Sequence, residues 1–82
     1  MPMIRRKKVV ILGAGGHARV ALDILRLAGY DIVGFLDRDR KKSGTTINGV
    51  LVLGSEDDAK IISLVTRPDI DFFVAVGDNA LR

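Results

Sequence analysis

Three stretches of this chain bring together residue types suited to holding an anion or a sugar. The first is Gly13-Ala14-Gly15-Gly16-His17-Ala18, which follows four consecutive apolar residues, Val9 to Leu12. A glycine at 13 permits a tight turn, and a glycine at 15 lets a ligand approach the backbone with no Cβ in the way. Gly16 and His17 complete the turn, and small Ala18 takes the position where helix and strand pack together. If a helix starts here, its free N–H groups and the positive end of its dipole face whatever anion lies over the turn. A diphosphate suits that environment. The second feature is Asp37, about 20 residues further on, the spacing at which an acid reaches ribose hydroxyls in a dinucleotide-type βαβ unit. A carboxylate accepts two hydrogen bonds from a vicinal diol; the plainer alternative is a turn aspartate capping the loop that follows. The third is Gly77-Asp78-Asn79 near the end of the chain.

His17 is the sole histidine. It can donate a hydrogen bond to a phosphate or pack over the turn, and no third group stands ready to orient it as a catalytic base. With no second histidine and no cysteine, a metal site has no ligand set of the usual spacing. Ser43, Ser55 and Ser63 fall in a loop, a helix start and a helix, and none follows the nucleophile-elbow pattern. The chain is therefore expected to bind a ligand without containing a complete reaction centre.

These residues need a frame to position them. Lys7 to Leu12 reads as a strand buried on both faces, as in a parallel sheet, preceded by a leader over Met1 to Arg6. Ala18, Ala21, Leu22, Leu25 and Ala28 recur at helical spacing, predicting a first helix from about Gly16 to Ala28, with Gly29 placed to stop it. Ile32 to Asp37 is a second strand with its carboxylate at the carboxyl end. Arg38 to Asn48 is polar, basic and glycine-containing and reads as a mobile loop. Val50 to Leu53, closed by Gly54, is a third strand. Ser55 and Asp58 form an approximate capping box for a second helix running to about Thr66, which Pro68 ends. Ile70 to Val76 is a fourth strand, and Ala80-Leu81-Arg82 looks like the start of another helix. The order implies one domain over residues 1–82, a three-layer α/β fold. Its sheet should be four-stranded and parallel in the order 3-2-1-4, with helices on both faces. The three polar turns then meet at the carboxyl edge of that sheet.

Composition narrows the function further. The chain has 82 residues, 48% of them hydrophobic, which suits one small folded domain rather than a disordered segment. No apolar run approaches the ~20 residues of a membrane span, and Val9 to Leu12 is too short for a signal-peptide core. A cytoplasmic setting is the simplest expectation. The net charge of +3 raises the question of nucleic acid. However, the cations cluster at the N-terminus and in the 38–42 loop, while Tyr30, Phe35, Phe72 and Phe73 lie mostly in strands that look buried. Without a stacking platform among the basic residues, nucleic acid is not the expected partner.

Taken in order, the runs Val9 to Ala18, Gly34-Phe35-Leu36-Asp37, Ile47 to Gly54, and Val74 to Asn79 with Arg82 resemble the N-terminal domain of the PglD/NeuD-type bacterial sugar acetyltransferases. The likeness extends from Lys8 to the end of the chain, and a Gly-Gly-His turn combined with a late Gly-Asp-Asn is more specific than a glycine pattern alone. The resemblance implies a Rossmann-like domain that binds a UDP-linked amino sugar or a related nucleotide sugar. Positions matching Gly13, Gly15, Gly16, His17, Asp37, Arg38, Gly77 and Asn79 would line that site. Where relatives often carry a second acid, this chain has Arg38. The resemblance also implies a following left-handed β-helix of hexapeptide repeats, absent from these 82 residues, that binds acetyl-CoA as co-substrate, forms a homotrimer and supplies the catalytic base. No cofactor is expected on the present domain itself. A competing reading from another class is an NAD-binding redox module, since the glycines and Asp37 would serve it too; a third is a non-catalytic sensor that uses the same pocket.

Overall fold

The computed structural model describes residues 7–75. The expected leader, the Gly77-Asp78-Asn79 turn and the start of a last helix lie outside the described residues. The elements run β1 (Lys8–Leu12), α1 (Ala18–Leu27), β2 (Asp31–Leu36), a 3-10 turn (Arg40–Lys42), β3 (Thr46–Ile47), β4 (Val50–Gly54), α2 (Ala59–Val65) and β5 (Ile70–Val74).

β1 lies inside the sheet, parallel to β2 on one side and to β5 on the other. Its continuous apolar run follows from that position, because side chains alternate faces along a strand and here both faces are covered. Val9 and Ile11 join Phe35, Val52 and the Ala18, Ala21, Leu22 and Leu25 stripe of α1 in one core. Val10 joins Leu36 and Val65 of α2 in a second, with Leu12, Leu53 and Ile61 partly buried around it. The two helices therefore cover opposite faces of the sheet. Burying side chains such as Leu22 and Phe35, both fully enclosed, stabilises the fold by roughly 1.5–3 kcal/mol each.

α1 ends as its sequence predicts. Gly29 has a φ of +92°. Its N–H donates to the Arg26 carbonyl, while the Tyr30 N–H reaches back to Leu25, both at 3.0 Å. This is the paired closure of a Schellman motif, and it turns the chain directly into β2.

The sheet differs from the expected four parallel strands: it has five, in the order β3-β4-β2-β1-β5, and it is mixed. The added strand, β3, pairs antiparallel with β4 through Thr46–Leu51 and Ile47–Val50. It lies within the 38–48 stretch expected to be an irregular loop. The cause is Asn48-Gly49, whose φ angles are +48° and +84°. Two consecutive positive φ values make the two-residue hairpin turn whose twist matches the flanking strands, and Asn-Gly is the pair best suited to it.

Two further expectations are corrected. Ser55 does not cap α2 through a box with Asp58. Its hydroxyl accepts the Asp57 N–H at 3.1 Å, and Asp58 is itself the cap, accepting the Lys60 N–H at 2.9 Å. Short polar side chains bond backbone two residues on, and each of the two residues does so here. Nor are all strand aromatics buried: Phe35 is enclosed, whereas Phe72 and Phe73 are 41% and 40% exposed, β5 being the border strand of the sheet among the described residues. At the opposite end of β1, Lys7 and Lys8 pair with Asp71 and Asp69, each at 3.5 Å.

Close approach inside the sheet has its own requirement. A Cβ on Gly34 would lie 2.7 Å from Leu53 Cγ and 3.0 Å from the Leu51 carbonyl oxygen. β2 and β4 come together there only because position 34 has no side chain.

Candidate functional site

Because β1, β2, β4 and β5 pair in parallel, the segments after them emerge at one edge. Backbone bonds tie that edge together. The Gly13 N–H donates to the Leu36 carbonyl at 2.6 Å, Asp37 to Gly54 at 2.9 Å, and Ala75 to Leu12 at 2.8 Å. The turn after β1 and the Asp37 corner after β2 are thereby held side by side.

The glycines of the turn divide into two kinds. Gly13 has a φ of +103°, a conformation that side-chain-bearing residues rarely adopt, so it shapes the turn. Gly15 and Gly16 have no such angle, and a Cβ on either would meet nothing within 4 Å. Among the described residues, then, neither backbone angle nor neighbouring atoms require a glycine at 15 or 16, and the space above them is open.

Gly16 and His17 belong to this turn rather than to α1, which begins two residues later than its periodicity suggests. His17 is the N-cap residue with helical φ and ψ of −86° and −6°, and its side chain makes no capping bond. The first turn of α1 also holds no acidic residue. Among the described residues, no backbone acceptor faces the N–H groups of Gly15, Gly16 or His17. The first turn of α1 therefore supplies no acid of its own to the positive end of the helix dipole.

Asp37 is tied to the turn. Its Oδ2 accepts the Ala14 N–H at 2.7 Å, and its Oδ1 accepts the Asp39 N–H at 2.8 Å. Burial by itself would push this carboxyl up, but the N–H groups of Asp39 and Ala14 and the nearby Lys42 ammonium outweigh it and hold the pKa below its ordinary value. Asp37 therefore both caps its own loop and orients the glycine turn. Each carboxylate oxygen keeps a lone pair for another donor.

Arg38 is paired with an acid: its Nε donates to Glu56 Oε2 at 3.0 Å, linking the loop after β2 to that after β4. Gly77 and Asn79 lie outside the described residues. One residue the motif reading passed over does reach the site. Lys42 Nζ lies 3.4 Å from the Ala14 carbonyl oxygen and 3.8 Å from Asp37 Oδ2. Its only sequence signal was membership of the basic run 38–42, which reads equally well as a solvated loop.

Among the described residues, no group of three His, Cys, Asp or Glu side chains could hold a metal ion. No helix there is long and apolar enough to cross a membrane.

Residues 8–82 match the family model of the PglD N-terminal domain. The chain belongs to that family. The resemblance carried by the Gly-Gly-His turn and the strand-end motifs is thereby borne out. A protein of Acanthamoeba polyphaga mimivirus, described as uncharacterized, is 35% identical over 75 residues, which is 90% of this chain. The aligned region covers 14% of that viral protein, so this chain spans only a small part of its length.

Proposed function

We propose that this chain is the nucleotide-sugar recognition domain of an acetyl-CoA-dependent sugar acetyltransferase, and that its ligand is a UDP-linked amino sugar. The observation that carries the reading is the pair Gly15 and Gly16, which among the described residues have open space where a Cβ would lie and no positive φ. Membership of the PglD N-terminal domain family gives the acetyltransferase context.

The diphosphate lies over Gly15 and Gly16, where free N–H groups and the helix dipole offset its charge. The ribose diol bonds the spare lone pairs of Asp37. The uracil and the sugar extend along the carboxyl edge, with His17 and Arg38 within the same region; Gly77 and Asn79 belong to the proposed site on the family resemblance alone. The strand sequence β4-β2-β1-β5, with helices on opposite faces, supports placing the ligand at this edge, since open α/β sheets take their ligands beyond the carboxyl ends of their parallel strands. The acetyl donor and the base that deprotonates the acceptor belong to a separate left-handed β-helix domain, which also makes the homotrimer; the setting is cytoplasmic.

The test is titration calorimetry of the 82-residue protein with a UDP-amino sugar, NAD and acetyl-CoA in separate runs. The UDP-sugar alone should bind. At a hundred-fold excess over Kd it should also stabilise the fold by about 2.7 kcal/mol. Binding of NAD in preference to the sugar nucleotide would replace this reading with that of a redox module.

A further inference from the structure

Ala14 sits between two opposite charges. Its N–H donates to Asp37 Oδ2 at 2.7 Å, and its carbonyl oxygen faces Lys42 Nζ at 3.4 Å. The acid and the amine lie 3.8 Å apart, so a single ion pair grips both polar groups of one residue. The carbonyl of Ala14 and the N–H of Gly15 belong to the same peptide unit. In a trans peptide the two point in opposite directions, and none of the described peptides is cis. A cation on the carbonyl side therefore fixes and polarises that unit with its N–H directed away from Lys42.

The support beneath Lys42 is built. The residue closes the 3-10 turn, where its N–H donates to the Asp39 carbonyl at 3.0 Å. Its own carbonyl accepts the Thr45 hydroxyl at 2.5 Å and the Thr45 N–H at 3.0 Å. Gly44 and Thr45 are in turn pinned to Val52 of β4. The other cations of the run are placed differently: Arg38 is paired with Glu56, and Arg40 and Lys41 are exposed.

Resting on the nucleotide-sugar reading, we propose that Lys42 is a positioning residue for the anion site, orienting and polarising the Ala14–Gly15 peptide so that the Gly15 N–H is preset to receive a phosphate oxygen. Lys42 acts through this peptide rather than by touching the ligand. Hydrogen bonds in series strengthen one another, so the ammonium raises the donor strength of the N–H at the far end. The anion then meets a donor that is already oriented and needs no reorganisation on binding.

Lys42→Met and Lys42→Arg separate this from alternatives, with inorganic pyrophosphate as the probe and the Gly15 amide proton followed by NMR. Lys42→Met should weaken pyrophosphate binding roughly ten-fold, by the usual worth of an interaction with a charged group. It should also reduce the shift of the Gly15 amide proton on titration, while the β-sheet amides and the denaturation midpoint change little. Lys42→Arg, which keeps the charge, should recover most of the affinity. Unchanged pyrophosphate affinity in a folded Lys42→Met protein overturns the proposal, and so does a loss that Lys42→Arg fails to recover. A parallel titration with a UDP-amino sugar keeps the two readings apart. Sugar-nucleotide binding that ignores Lys42 leaves the functional reading standing and removes this one. Lys42-dependent pyrophosphate binding with no binding of the UDP-sugar does the reverse. A wild-type protein that binds neither overturns both.

Discussion

The Asp37 carboxylate accepts the backbone N–H of Ala14 at 2.7 Å, 23 residues away in the chain. That bond fastens the turn after β1 to the end of β2, so the residue proposed to meet a ribose is also part of the scaffold of the glycine turn. Asp37→Asn puts an amide NH₂ against one of two backbone donors and removes the charge. The expected cost is about 1–3 kcal/mol of stability, read from the shift in urea midpoint, together with weaker UDP-sugar binding in calorimetry. Unaltered stability would show that the bond to Ala14 contributes little.

The same carboxylate sets an acid limb on the stability curve. Its folded-state pKa lies below the ordinary value of 3.8, so the unfolded chain binds this proton more tightly than the folded one. The contribution is complete above the ordinary value and disappears as pH falls through the lowered one. Melting temperatures measured from about pH 6 down to about pH 2 should fall more steeply in wild type than in Asp37→Asn. Parallel curves for the two proteins would contradict this assignment.

Gly15→Val tests the turn without testing the fold. Among the described residues, the new side chain meets no protein atom within 4 Å of its Cβ, and the backbone there has no positive φ. Stability should change by no more than about 0.5 kcal/mol. Nucleotide-sugar affinity should nonetheless fall below detection in calorimetry, because the branched side chain fills the ligand's approach. Wild-type affinity in this folded variant would remove the phosphate role of the turn.

Gly34→Ala should behave in the opposite way. Its Cβ would press on Leu53 and on the Leu51 carbonyl at 3.0 Å or less, in a part of the sheet away from the glycine turn. Overpacking of this kind costs about 1–3 kcal/mol. Chemical denaturation should record the loss, while the protein that remains folded binds ligand normally.

Arg38→Ala removes an exposed ion pair with Glu56. Stability should move by less than about 1 kcal/mol. If Arg38 also meets the nucleotide sugar, affinity falls while the melting curve barely changes; equal affinities in wild type and variant would assign Arg38 to the link between loops alone.

Much of this arrangement was legible in the residues themselves, because local chemistry determines it. The unbroken apolar run Val9–Leu12 reports a strand covered on both faces. The spacing of Ala18, Ala21, Leu22 and Leu25 reports one buried helix stripe, and Gly29 reports the stop, which only a residue free to take a positive φ makes easily. The Asn48-Gly49 hairpin was equally local, but the polar composition around it hid a two-residue strand whose pairing partner follows it directly. Other features depend on groups far apart in sequence, and folding alone brings those together. Nothing at position 34 announces that Leu53 will press against it, and Phe72 and Phe73 read as buried until β5 is placed at the border of the sheet. The run Arg38 to Lys42 gives no hint of which cation will turn back toward the site. Tertiary structure decides that, by pinning the 3-10 turn to β4 and thereby setting Lys42, rather than its neighbours, against the carbonyl of Ala14.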